Sequence, residues 1–289
     1  MKVLIFGAGG MAGHMTAIYL KEAGHDVTGV GRRNGHFCKW ITGDVRDQKC
    51  VEAAIDSDEF DIIVNAVGIL NKAVDTSPAD GIYINSVFPH KLSEYLQNRD
   101  TRLIHISSDC VFLGDKGGYT EKSVPDAVSY YGRTKVLGEI CDNKNLTFRT
   151  SIVGPEIRST GIGLFQWFMS QKREIDGFTE VFWTGVTTLE LAKAIEAAMK
   201  QKLTGLYHLV NNQVISKYDL LCLFNQYMNQ GEKRIRKEPG PRNDRSLINS
   251  RSDFYYRIPD YDQMLKELSV WINSHDDIYK VVREACKQN

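Results

Sequence analysis

Short runs that are apolar at almost every position punctuate the first half of the chain. KVLIF at 2–6, FDIIVNAVG at 60–68, RLIHISSD at 102–109 and LTFRTSIVG at 146–154 are the clearest, with DVTGVG at 26–31 and a poorer FCKWITGD at 37–44. Continuous apolar runs of this length suit strands buried on both faces. Between them lie segments with helical character: Gly13 to about Ala23, 46–57, Ile82 to Asn98, and the stretch around Tyr130 to Glu139 that follows a polar, glycine-rich loop at 114–126. Strands alternating with helices predict a parallel sheet covered on both faces. After about residue 154 the pattern is less regular. GIGLFQWFMSQ (161–171), TTLELAKAIEAAMKQ (187–201), SKYDLLCLFNQYM (216–228, with Ser216 as N-cap) and YDQMLKELSVWINSH (261–275) read as helices, GLYHLVNN (205–212) as a strand, and KRIRKEPGPRNDRS (233–246) as a basic loop. The expected organisation is a nucleotide-binding half over 1–153 joined by 187–201, and a smaller mixed α/β part over 154–186 and 202–289.

Composition removes several classes of function. The 289 residues carry 36 basic and 36 acidic side chains, a net charge of zero, so nothing favours bulk attraction to nucleic acid or to an anionic membrane. No apolar run approaches the roughly 20 residues that span a bilayer. The first residues, MKVLIFGAGG, are too short and too glycine-broken for a signal peptide. Cys38, Cys50, Cys110, Cys141, Cys222 and Cys286 are scattered without a C-x-x-C, which suits reduced thiols in a cytoplasmic protein; no Cys/His spacing suits a structural zinc.

The first candidate chemistry follows the first strand. GAGGMAG at 7–13 fits G-x-x-G-x-x-G through Gly7, Gly10 and Gly13, or G-x-G-x-x-A through Gly7, Gly9 and Ala12; it follows a strand and opens a helix, with Met11 counted among the cofactor-binding residues. Glycines there let the backbone turn and approach a pyrophosphate, whose charge rests on the helix N-terminus. No G-K-[ST] follows, which argues against a P-loop. At the tip of the second strand, where an NAD site usually has a carboxylate, Arg32 and Arg33 stand instead. Two guanidinium forks suit a 2′-phosphate, so NADPH is expected over NADH. Asp44, with Val45 after it, ends the third strand, where a carboxylate accepts from an adenine amino group or caps a helix.

Tyr131 and Lys135 are four residues apart, on one face of a helix. A neighbouring ammonium favours phenolate, so the pair is expected to lower the Tyr131 pKa and make it an acid–base group. Ser108, at the carboxyl end of a strand, supplies a hydroxyl for polarising a carbonyl oxygen.

Taken together, GAGGMAG, NAVG (Asn65 to Gly68), ISSDCVF and YGRTK resemble the extended short-chain dehydrogenase/reductases. Within them the dTDP-4-dehydrorhamnose reductase group is most similar, through SSDCVF, YGRTKVLGE, RTSIVG and GLYHLVNN. The resemblance implies a Rossmann-type doubly wound sheet with a smaller C-terminal substrate-binding part. It implies Ser108, Tyr131 and Lys135 as catalytic residues, with Lys135 also holding the nicotinamide ribose. Asn65, Ala66 and Gly68 would line the cofactor; Asp109 and Val111 would border the nicotinamide and the sugar; Asn85 matches an Asn on the family's central helix. The implied reaction is NADPH-dependent reduction of the 4-keto group of a nucleotide-diphosphate sugar, for polysaccharide synthesis. A 4-epimerase of the same fold and a catalytically silent NADP-binding subunit are the competing readings. Ile152 stands where the group often has an aromatic residue, and Cys110 where it often has Tyr, both near the sugar. Trp167 or Trp183 would then stack on the sugar, or simply pack in the core. Arg242, Arg245 and Arg251 are candidates for the diphosphate. Oligomeric state is left open, a homodimer included.

Overall fold

The computed structural model describes residues 1–157, 161–228 and 231–280; Cys286 lies outside them. Seven strands, β1 (Lys2–Phe6), β2 (Asp26–Gly31), β3 (Lys39–Thr42), β4 (Ile62–Asn65), β5 (Arg102–Ile106), β6 (Leu146–Arg149) and β7 (Gly205–His208), form one sheet in the order β7-β6-β5-β4-β1-β2-β3. Every pairing is parallel. The doubly wound α/β fold expected from the sequence is therefore the fold observed. The chain reverses its direction of travel across the sheet at β1, so a crevice opens beyond the carboxyl ends of β1 and β4.

Each face of the sheet has its own apolar layer. Val3, Ile5, Ile62 and Val64 point into one with α1 (Met11–Glu22); Leu4, Phe6 and Ile63 point into the other with α2 (Gln48–Ile55) and the helical stretch 78–95. Strands with apolar residues on both sides read as unbroken hydrophobic runs, as these do. The stretch 78–95 is three segments: Pro78–Ile82, a π turn at Tyr83–Val87, and Phe88–Tyr95.

The sheet draws on more of the second half than the sequence boundary at 201 provides. β7, from 205–208, pairs with β6 and forms one edge. The helix before it, Thr188–Gln201, packs against the first half: its Glu196 accepts from Tyr19 Oη at 3.1 Å, and His25 Nε2 lies 3.2 Å from the same carboxylate. The run 146–154 is two strands, because Ile152–Val153 leaves the sheet to pair with Val186–Thr187. The basic segment is not a loop throughout. Arg234–Glu238 pairs in parallel with Glu174–Phe178. Its Ile235 opposes the buried Ile175, while Arg236 Nη2 lies 2.6 Å from Asp176 Oδ1. One apolar residue among five gave too little periodicity to mark it, yet the cross-strand charges neutralise the arginines.

Candidate active site

The glycine turn is sterically committed. Gly7 has φ +81°, and a β-carbon on it would lie 2.9 Å from the Ala66 carbonyl group. One on Gly13 would lie 2.2 Å from the Gly7 oxygen. Gly10 precedes α1 with no side-chain cap, so the first N–H groups of α1 face outward for an anion. A cleft of about 730 Å³ lies beside this turn, lined by Gly9, Ile18, Arg33, Phe37, Trp40 and Ile278 among others. Arg32 and Arg33 are exposed at the tip of β2. The turn, the bare helix end and the two arginines fit a phosphorylated dinucleotide.

Asp44 is held by Arg46, whose Nη2 lies 2.7 Å from Oδ2 and whose Nε lies 3.1 Å from Oδ1. That pairing keeps its carboxyl below the usual range. Asp47, not Asp44, caps α2. Val45 is buried. Asn65 Oδ1 accepts from Val67 N at 3.1 Å, which shapes the turn that carries Ala66 and Gly68. Asn85 is fully buried in the π turn. Its Oδ1 accepts from Ile69 N at 2.9 Å and its Nδ2 donates to Thr134 Oγ1 at 3.1 Å. It thereby ties the loop after β4 to the helix that bears Tyr131.

That helix, α3 (Tyr130–Leu137), is capped by Ser129, which accepts from Gly132 N at 3.1 Å. Gly132 lets it sit directly on the segment after β5, because a β-carbon there would lie 2.2 Å from the Cys110 carbonyl oxygen. Ser108, Tyr131 and Lys135 are thus brought together at the sheet's carboxyl edge, all buried. Ser108 caps a 3₁₀ turn at Asp109–Val111, accepting from Cys110 N at 3.1 Å and donating to Asp109 Oδ1 at 3.0 Å.

The electrostatics depart from the sequence expectation. Burial raises the Tyr131 pKa, Cys110 and Asp109 raise it further, and only the adjacent Ser108 hydroxyl opposes them. The Lys135 ammonium instead donates to the Ile106 carbonyl oxygen at 2.6 Å. Burial lowers Lys135 to about 8, with Glu139 partly restoring it. Tyr131 is therefore a phenol that keeps its proton at neutral pH. Burial also raises Asp109, opposed first by Lys217 and then by Arg245, and pushes Cys110 up to about 12.

The expected sugar residues divide. Asp109 is in the cluster, and Ile152 is half-buried on its two-residue strand. Val111 is not a lining residue: its side chain is wholly buried among Phe112, Tyr119, Val210 and Leu247. Trp183 is core, 3% exposed, with its ring 5.6 Å from Tyr261; Trp167 is exposed on the helix Leu164–Ser170. Arg242 is on the surface. Arg251 is committed to Asp253 and to the carbonyls of Thr204 and Leu206. Arg245 does reach the cluster, donating from Nε to the Phe112 oxygen at 3.1 Å, with Nη1 3.7 Å from Cys110 Sγ. Lys217, which sequence reasoning did not single out, is the added cation: burial lowers it to about 8, and Asp109 and Cys110 oppose that. A lysine after a serine at a helix start carries no sequence signal of its own.

A family model described as the RmlD substrate binding domain matches residues 1–246. The dTDP-4-keto-6-deoxy-D-glucose reductase of Streptomyces niveus is 24% identical over 250 residues, 83% of each chain. The methionine adenosyltransferase 2 subunit beta of Xenopus laevis is 24% identical over 249 residues, 81% of this chain and 74% of its own. Among solved structures, a dTDP-4-dehydrorhamnose reductase from Bacillus anthracis str. Ames in complex with NADP has a TM-score of 0.78 at 19% identity, covering 93% of this chain and 99% of that one. At that identity the likeness is one of fold. No helix among the described residues is long and apolar enough to cross a membrane.

Proposed function

Because the chain belongs to the RmlD substrate binding domain family, we propose that it reduces the 4-keto group of a nucleotide-linked 4-keto-6-deoxyhexose. It is an NAD(P)-dependent oxidoreductase, and the Streptomyces relative carries a sugar-nucleotide 4-ketoreductase name across most of both chains. Arg32 and Arg33 at the tip of β2 favour NADP over NAD. The cytoplasm, with its reduced cofactor pool and free thiols, is the setting this reading implies.

What supports the reading is the buried meeting of Ser108, Tyr131 and Lys135 at the carboxyl edge of the sheet, the same edge that carries the glycine turn. NADPH, when bound, would supply the hydride. The glycine turn and α1 would hold its pyrophosphate, and Lys135 would reach its ribose. Tyr131, protonated because it is buried, would give its proton to the carbonyl oxygen, while Ser108 donates a second hydrogen bond there. Two donors fixed in a dry site stabilise a developing alkoxide without first reorganising water.

The test is NADPH oxidation with dTDP-, UDP- and GDP-linked 4-keto-6-deoxy sugars. Net oxidation with at least one is expected. A 4-epimerase would leave NADPH unconsumed over many turnovers. The Xenopus relative, named as a subunit of another enzyme, favours one further reading, an NADP-binding partner subunit. NADPH binding without turnover of any of these sugars would make that reading the better one.

A further inference from the structure

Ser108 has one proton, and in this structure it is spent on Asp109 Oδ1 at 3.0 Å. Its oxygen meanwhile accepts from Cys110 N at 3.1 Å. A serine held this way donates to a substrate carbonyl only by giving up its bond to Asp109.

The titratable and charged groups facing Asp109 are few. Cys110 and Ser108 belong to its own turn; Tyr131 faces it from α3, Lys217 from the start of the helix Lys217–Met228, and Arg245 from the segment after the strand Asn243–Asp244. Cys110 and Tyr131 keep their protons at neutral pH. Arg245 is fixed by the carbonyls of Phe112 and Leu113, at 3.1 and 3.3 Å, and by Cys110 Sγ. Lys217 is different. Among the described residues its ammonium makes no hydrogen bond, and it lies 5.2 Å over the ring of the buried Trp183. Its backbone is nonetheless rigidly placed. The strand Ile215–Ser216 pairs antiparallel with Val181–Trp183, and Ser216 Oγ accepts from Asp219 N at 3.0 Å. The same strand, Val181–Trp183, pairs on its other side with Asn243–Asp244, and the next residue, Arg245, touches Cys110; a fixed root with a flexible four-carbon stem thus sets a mobile cation on the side of the turn that carries Asp109.

We infer that Lys217 is a positioning residue acting through Asp109: it draws the carboxylate to itself and so releases the Ser108 hydroxyl to turn toward the substrate carbonyl. The inference rests on the carbonyl-reducing role proposed above for Ser108. It requires Asp109 ionised. Removing Lys217 removes a charge that favours the carboxylate, so the Asp109 pKa rises and the acid limb of turnover moves to higher pH.

The experiment uses the full chain with NADPH and dTDP-4-keto-6-deoxyglucose, comparing wild type with Lys217→Met, Lys217→Arg, Asp109→Asn and the Asp109→Asn/Lys217→Met double variant. Lys217→Met is expected to lower kcat by about ten- to a hundredfold, with KM and NADPH affinity little changed, and to move the acid limb up by about one pH unit or more. Lys217→Arg should recover most of the rate, since it restores the cation. On the Asp109→Asn background the lysine substitution should have no further effect. Multiplying losses in the double variant, or an unmoved acid limb, would overturn the inference. A second measurement needs no substrate: the carboxyl ¹³C titration of Asp109, assigned by its loss in Asp109→Asn. A midpoint that rises in Lys217→Met supports the coupling, and an unchanged midpoint overturns it. Absence of turnover in the wild type, with that midpoint still responsive, would count against the proposed reaction alone.

Discussion

Tyr131→Phe keeps the buried ring and deletes only the proton that the site holds. Turnover should fall by roughly 10²–10⁴, the usual contribution of a positioned acid–base group, while NADPH affinity stays near wild type; single-turnover NADPH oxidation beside a cofactor titration decides this. Lys135 gives an opposite pairing of effects. It titrates near 8 in the fold against 10.5 for a free lysine. Between those values the unfolded chain binds more protons, so the burial penalty is complete below about 8 and fades as pH rises to 10.5. Lys135→Met should therefore raise stability at neutral pH, by up to roughly 3 kcal/mol before the lost bond to Ile106 is counted, and weaken NADPH binding. Thermal melts at pH 7 and pH 10 test the sign: the gain should shrink at the higher pH. Arg32→Ala/Arg33→Ala should weaken NADPH much more than NADH, by about 1.5–3 kcal/mol for each lost phosphate contact. Equal use of both cofactors by the wild type would make these arginines a solvated loop.

At the scale of elements, α3 and the turn after β5 form one unit because Gly132 lets them touch. Gly132→Ala should destabilise the fold by about 1–3 kcal/mol, as overpacking does, and lower turnover more than it weakens NADPH binding at the glycine turn. Denaturant unfolding and a cofactor titration separate the two effects. The elements that carry the chemistry were legible in the sequence: apolar runs marked the sheet, GAGGMAG marked the first turn, and the four-residue spacing placed Tyr131 and Lys135 on one helix face. What stayed hidden depended on contacts between distant segments. Val111 reads like its neighbour Asp109, yet Tyr119, Val210 and Leu247 enclose it. Lys217 lies far along the chain from Asp109, and a long-range pairing of 215–216 with 181–183 helps to fix where its helix starts. The phenol's raised pKa stays hidden in the sequence for a related reason. Helical spacing puts Lys135 beside Tyr131, but it does not say that the ammonium points to the Ile106 oxygen or how completely both are buried.

Across the molecule, a buried ionic network fastens the site to the sheet. Arg149 at the end of β6 meets Glu139 after α3 through Nε and Nη2, each at 2.6 Å, and Ser107 at the end of β5 donates to the same carboxylate at 2.7 Å. Arg149 Nη1 also lies 3.4 Å from Nε2 of His208 on β7. Burial lowers His208 to about 4, so at neutral pH it is uncharged and its Nε2 can accept from the guanidinium. Glu139→Ala would leave the Arg149 charge buried without its carboxylate and should cost about 3–5 kcal/mol. Replacing both, as Glu139→Leu/Arg149→Met, should be less damaging than the single change. Additive losses in chemical denaturation would mean that the two side chains act separately.

The seventh strand has a consequence for synthesis. β6 pairs with β5 on one side, but its other side is covered only when residues 205–208 arrive, after the chain has built 55 further residues. A nascent chain still on the ribosome therefore presents the backbone of Leu146–Arg149 as an open edge, free to pair with a neighbouring nascent chain. Once β7 docks, Arg251 hydrogen-bonds the carbonyl of Leu206 within it and that of Thr204 just before it, at 2.7 and 2.8 Å. A translation product that stops just short of residue 205 should accumulate as aggregates where the full chain stays dispersed, as pelleting of the two products would show.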